Sequence, residues 1–175
     1  MSNLYDAALP VFRQTLGAMA GVLDKGEGFA REKGVEADTL LNARLAPDMH
    51  PLAFQLAQAV NHSMGAVRKL KGEADVPFIP NYASYAEARK SVAEGVAFLA
   101  AVTPADLEGA EGRDVLFKFP GGALRFTGEG YLQSFALPNF YFHATMAYGV
   151  LRNQGVPLGK GDFLGPTQVI ERIKG

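Results

Sequence analysis

The chain has 175 residues, 48% hydrophobic and 20% charged, with 17 basic and 18 acidic side chains and a net charge of −1. That length suits one domain with its own core, and the balanced charge excludes a broad attraction for nucleic acid or anionic membranes. The absence of cysteine excludes a disulfide framework, a thiolate zinc site and a cysteine nucleophile.

Leu4, Ala8, Val11, Phe12, Leu16, Met19, Val22 and Leu23 recur at helical spacing. They predict a first helix over about 4–33, with Gly34 as its left-handed stop. Pro10 lies in the first turns and would allow a start just before it. A linker leads to residues 45–51, where Asp48 is a candidate cap and Pro51 suits a first turn. A second helix is expected to about residue 70, with Leu52, Leu56, Ala59, Ser63, Ala66 and Leu70 as its seam. Pro77 and Pro80 mark 72–81 as a loop.

Ser84 with Glu87 forms a capping-box pattern before a third helix over roughly 85–101. Thr103 is placed to cap a short extra turn. Val115, Phe117 and Phe119 then alternate with Leu116 and Lys118, a proline–glycine–glycine turn follows at 120–122, and Leu124 and Phe126 alternate after it. This pattern predicts a β-hairpin. Thr127 is the expected cap of a fourth helix to about 153, kinked at Pro138 and ended by Gly155. Val169, Ile170 and Ile173 suggest a last amphipathic turn. The expected architecture is mainly all-α: a four-helix bundle with a small hairpin between helices three and four. It spans residues 1–165, with a tail over 166–175. No apolar run of about 18 residues suggests a membrane span, and the first residues lack a signal-peptide pattern, so a cytoplasmic location is expected.

Histidine offers the first place for chemistry, because there are only three: His50, His62 and His143. Leu132, Ala136, Asn139, His143, Met146 and Val150 form one helical stripe, which turns Asn139 and His143 toward the interior. His62 lies between Ala59 and Ala66 at the border of the second helix's seam. Imidazoles converging from two helices can hold a divalent metal with positions left open. The alternative is two histidines hydrogen-bonded separately. Two histidines are one ligand short of most catalytic zinc sites, and Asn139 adds only a neutral oxygen. His50 reads as a surface or capping residue.

Tyr131, Phe135, Phe140, Tyr141, Phe142 and Tyr148 crowd the fourth helix and cannot all face inward. The hairpin and tail, or a second copy of the chain, must cover part of this surface, so a homodimer is one expectation. Tyr141, Tyr148 and Arg152 are candidates to line a ligand pocket and orient an anionic substrate. Residues 155–160 do not have phosphate-loop spacing, and the basic run at 68–71 suits a helix C-terminus.

Leu4-Tyr5 with Val11-Phe12, the stretch from Leu41 to Met49, the stretch from Tyr131 to His143, Tyr148, Leu151-Arg152 and residues 155–165 together carry a resemblance. They resemble the signature of an uncharacterised bacterial conserved-domain family, a branch of the DinB/YfiT-like four-helix-bundle superfamily, over about residues 3–165. The resemblance implies a bundle, often dimeric. In many members a core metal site uses three histidines, one from helix two and a pair at i, i+4 on the last helix. His62 matches the first position and His143 the last, while the remaining position is Asn139, which breaks the pattern. Thiol-dependent transferases and isomerases also occur in the superfamily. The expected functions are a metal-dependent enzyme using a divalent ion such as zinc or nickel, a non-catalytic small-ligand-binding bundle, or a dimeric structural or stress-related protein.

Overall fold

Helix α1 (Leu4–Lys33) begins where the Asn3 side chain accepts the Asp6 backbone N–H at 2.8 Å, and ends at Gly34 with φ 69°. Pro10 therefore lies inside the helix and does not mark its start. Its exposed position leaves the unpaired carbonyl one turn back open to water. The computed structural model describes residues 3–74 and 76–168; Val169, Ile170 and Ile173 lie outside the described residues.

The linker holds a one-turn helix, α2 (Asp38–Leu41), whose Asp38 carboxylate accepts the Tyr85 N–H at 2.7 Å. The expected second helix is two helices, α3 (Leu52–Asn61) and α4 (Met64–Lys71), separated by His62 and Ser63. Pro51 stands at the N-cap of α3 with no side-chain cap, so Asp48 does not take the role its spacing suggested. Helix α5 (Tyr85–Ala101) has the expected bounds, with Glu87 donating its N–H to the Ser84 hydroxyl and accepting from the Ala83 N–H. A 3-10 turn, Pro104–Leu107, follows and is capped through Thr103 and Asp106.

Strands β1 (Asp114–Phe119) and β2 (Gly122–Thr127) pair antiparallel, with Phe119 opposite Gly122. Pro120 fixes one turn residue and Gly121, at φ 94°, takes the left-handed one. Val115, Phe117 and Phe126 turn toward the bundle, and Lys118 and Leu116 face outward.

Helix α6 (Gly128–Tyr131) is capped by the Thr127 hydroxyl. A π-helical turn, Leu132–Ala136, then leads into α7 (Leu137–Asn153). The disturbance expected at Pro138 is taken up by this wider turn just before it. There the Leu137 N–H reaches back five residues to the Leu132 carbonyl. Gly128 is required by close approach, since a Cβ there would lie 1.9 Å from the Ala110 carbonyl oxygen. A short α8 (Lys160–Leu164), absent from the sequence expectation, packs on α1 through a 2.7 Å ion pair between Lys25 and Asp162.

Helices α1, α5, α3 and α7 form a closed ring in which α1 and α3 each pack against both α5 and α7. Arg13 bonds the Leu99 carbonyl and Glu27 pairs with Arg89, so α1 and α5 run antiparallel. Phe12 meets Phe140 and Gly26 faces Leu151, so α1 and α7 run parallel. Gln55 meets His143 and His62 meets Phe135, so α3 and α7 are antiparallel. The connectivity is thus up-down-down-up, with a continuous apolar core from Leu4 to Leu158. Among the described residues, no helix is long and apolar enough to cross a membrane.

Candidate functional site

The interruption between α3 and α4 has a local cause. The Ser63 hydroxyl donates back to the Ala59 carbonyl at 2.7 Å and contacts the Val60 carbonyl at 3.3 Å. Such back-bonding competes with the backbone ladder and bends a helix. His62, at the bend, is carried to the α7 side, where it is 5% exposed. The His62 and His143 rings lie nearly parallel, at 8°, with centroids 5.7 Å apart. The two histidines singled out from the sequence therefore come together from facing helices.

Their surroundings are mostly aromatic. Phe135, delivered by the π turn, packs edge-on to His62 at 5.5 Å, and Phe117 of β1 lies over the same ring at 6.2 Å. His143 Nδ1 is 2.8 Å from Gln55 Oε1, which sets Nδ1 as the protonated nitrogen, because an amide oxygen only accepts. Phe54 adds an edge contact to His143 and stacks on the exposed His50 at 3.9 Å. His50 is thus a surface residue, as its position near a helix start suggested. Among the described residues, His62 Nδ1 is buried without a hydrogen-bond partner.

Burial, and next the charge His143 would carry, push the His62 imidazole down to about 4. Burial, and next the His50 charge, likewise push His143 down to about 4. Both rings are neutral at pH 7, the form that accepts a hydrogen bond, takes up a proton or ligates a metal.

A cleft of about 280 Å³ opens beside His62. Helix α4 lines it with Gly65 and Lys69, the 74–78 loop with Val76 and Phe78, and β1 with Leu116, Phe117 and Lys118. Asn61 braces the loop: its amide donates to the Ile79 carbonyl at 2.8 Å and accepts the Ile79 N–H at 3.0 Å.

His62 lines this cleft and His143 does not, and the other sequence candidates also lie apart from it. Asn139 directs its Nδ2 to the Phe135 carbonyl at 2.7 Å, serving the backbone of its own helix at the proline. Tyr141 is 42% exposed and Arg152 is exposed. Tyr148 packs against Phe163 of α8, with ring centroids 5.8 Å apart. None of these three lines the cleft. For a metal, the donor set is two neutral imidazoles, and among the described residues no group of three or more His, Cys, Asp or Glu side chains is placed to hold an ion. Two imidazoles are one ligand short of most catalytic zinc sites.

Sequence reasoning missed Gln55, Phe54 and Lys118. Gln55 carried a usable signal: a glutamine inside an apolar helix, seven residues before His62 and so on nearly the same face. It is only 3% exposed. Lys118 carried no such signal, because strand alternation placed it simply on the solvent side.

The fold defines the class: a four-helix bundle, mainly helical, with one small hairpin. The chain belongs to the family described as Domain of unknown function (DUF1993), whose model matches residues 4–164. It is also similar to a DinB family member protein from Shewanella denitrificans, known from a crystal structure. The two are 34% identical, the match covers 97% of this chain and 96% of that one, and the TM-score is 0.83. No curated protein matches the chain.

Proposed function

We propose that the chain is a small-molecule-binding bundle whose site is the cleft floored by His62. The observation that carries this reading is the buried Nδ1 of His62, which has no partner among the described residues and belongs to a residue that also lines that cleft. Leaving a buried polar atom unpaired costs about 1–3 kcal/mol. A binding site retains that cost because a ligand can supply the missing partner, and stability is commonly traded for function in this way.

His62→Leu is expected to raise the stability of the free protein by about 1 kcal/mol and to abolish stabilisation by small-molecule ligands. A thermal-shift screen of wild type and variant checks both. Ligand-induced shifts of equal size in the variant, or none in the wild type, would remove this reading.

A second reading is favoured by one specific observation, the two neutral imidazoles 5.7 Å apart on facing helices. In that reading His62 and His143 hold a divalent ion such as zinc or nickel. The ion would supply Lewis-acid chemistry or an activated water, making the protein a metal-dependent enzyme. In the same screen, stabilisation by divalent ions that is lost in His143→Ala supports the metal, and stabilisation by organic ligands alone supports the binding bundle.

A homodimer is also proposed, over the α7 face where Tyr141 and Phe142 stand 42% and 54% exposed. Sedimentation equilibrium at micromolar concentration is expected to give twice the 18.7 kDa chain mass. A single 18.7 kDa species would refute it.

A further inference from the structure

We propose that the cleft beside His62 selects a small organic anion carrying a short apolar body, with Lys69 and Lys118 gripping the anionic group. This rests on the reading of the cleft as a ligand site and adds the chemical class of the ligand.

The two lysines come to the cleft on different elements, Lys69 on α4 and Lys118 on β1. Gly65 and Lys69 are four residues apart on α4 and share one helix face. Leu116 and Lys118 are two residues apart on β1 and share one strand face. All four line the cleft, which therefore takes one lysine from the helix and one from the strand. Burial, and next the charge of Lys118, hold the Lys69 ammonium below the usual lysine range, which indicates that the two cations feel each other.

The pattern of ion pairing around them is telling. Arg68 has Glu73 at 3.6 Å, Lys71 has Asp106 at 2.9 Å and Arg125 has Asp114 at 3.4 Å. The basic neighbours on the same helix and hairpin thus have carboxylate partners. Among the described residues, neither Lys69 nor Lys118 forms an ion pair. Glu73 and Asp114, the nearest carboxylates in sequence, are already engaged with the arginines. Two like charges at one partly desolvated gap are relieved when an anion enters between them, and the interaction is stronger there than in bulk water.

The rest of the cleft sets the shape of the ligand. Leu116, Phe117, Val76 and the 60%-exposed Phe78 offer apolar contact. A volume of about 280 Å³ exceeds what a bare inorganic anion fills, and lies near the lower end of small-molecule sites. Asn61 holds the loop wall in place before any ligand arrives, which lowers the ordering cost of binding.

The test is an NMR titration of the ¹⁵N-labelled full chain with three probes: benzoate, its uncharged counterpart benzamide, and acetate. Benzoate is expected to shift the Gly65, Lys69 and Lys118 amides, with an affinity at least about tenfold above either other probe. The double variant Lys69→Gln/Lys118→Gln should bind benzoate no better than benzamide. Its melting temperature should stay close to that of the wild type, because neither lysine forms an ion pair among the described residues. Raising the salt concentration should weaken benzoate and leave benzamide unchanged.

Benzamide matching benzoate at these residues would overturn the anion selectivity and leave the cleft standing as a ligand site. Acetate matching benzoate would overturn the apolar body. If none of the probes moved a cleft residue, both this inference and the small-molecule reading beneath it would fall.

Discussion

Lowering the pH from 7 toward 4 is expected to destabilise the metal-free protein steeply. His62 and His143 titrate near 4 in the folded chain and near 6.5 when unfolded. Between those values the unfolded chain binds more protons, so stability falls as pH falls. The contribution is fully present above about pH 6.5 and is lost progressively as the pH approaches 4. Each histidine adds a slope of up to about 1.4 kcal/mol per pH unit. The depressed carboxyls Asp106 and Asp162 act in a lower window, below their ordinary value of 3.8, so the two effects separate on the pH axis. Urea unfolding at pH 7, 6, 5 and 4.5 measures the slope, and His62→Leu should roughly halve it. Equal urea midpoints at pH 7 and pH 5 would mean that these rings are not buried as described.

Phe140→Ala should cost about 3–5 kcal/mol, a large fraction of the roughly 5–15 kcal/mol that holds an ordinary domain folded. Phe140 is 0% exposed and meets the Phe12 ring edge-on at 4.9 Å, where α7 packs on α1. Truncation removes the transfer energy of the ring, leaves a cavity in a seam between two long helices, and forfeits the aromatic pair. The two residues that follow it serve as internal controls. Tyr141→Ala and Phe142→Ala, measured at concentrations too low for self-association, should change stability by no more than about 0.5 kcal/mol each. A Phe140→Ala cost no larger than that of its exposed neighbours would show that α7 presents a different face to the core.

The histidine pair was legible because it lay on helices with readable stripes, and because histidine is scarce in this chain. What could not be read was how the two rings would be oriented. His62 sits at a helix break made by the Ser63 hydroxyl, and Phe135 is aimed by a π turn. Both are departures from regular helix, and a periodicity argument assumes that regularity. Asn139 shows the same limit. Its spacing from His143 put it on the expected stripe, yet its amide serves the Phe135 carbonyl. The loss of Tyr141, Tyr148 and Arg152 from the cleft follows from α7 facing α3 and α1 with only part of its circumference.

Sequence alone determined the ends of most elements. Gly34 terminates α1, Ser84 with Glu87 starts α5, Pro120 and Gly121 turn the hairpin, and Thr127 opens the last helical segment. Each of these signals acts within about four residues, through a backbone dihedral or an end group that needs a partner. Tertiary structure decided the up-down-down-up ring, the covering of His62 by the hairpin, and the meeting of Lys69 with Lys118 at one cleft. Those pairings join residues about 50 or more positions apart. They arise from how whole apolar faces pack together, and the pattern along any one element leaves its partner unspecified.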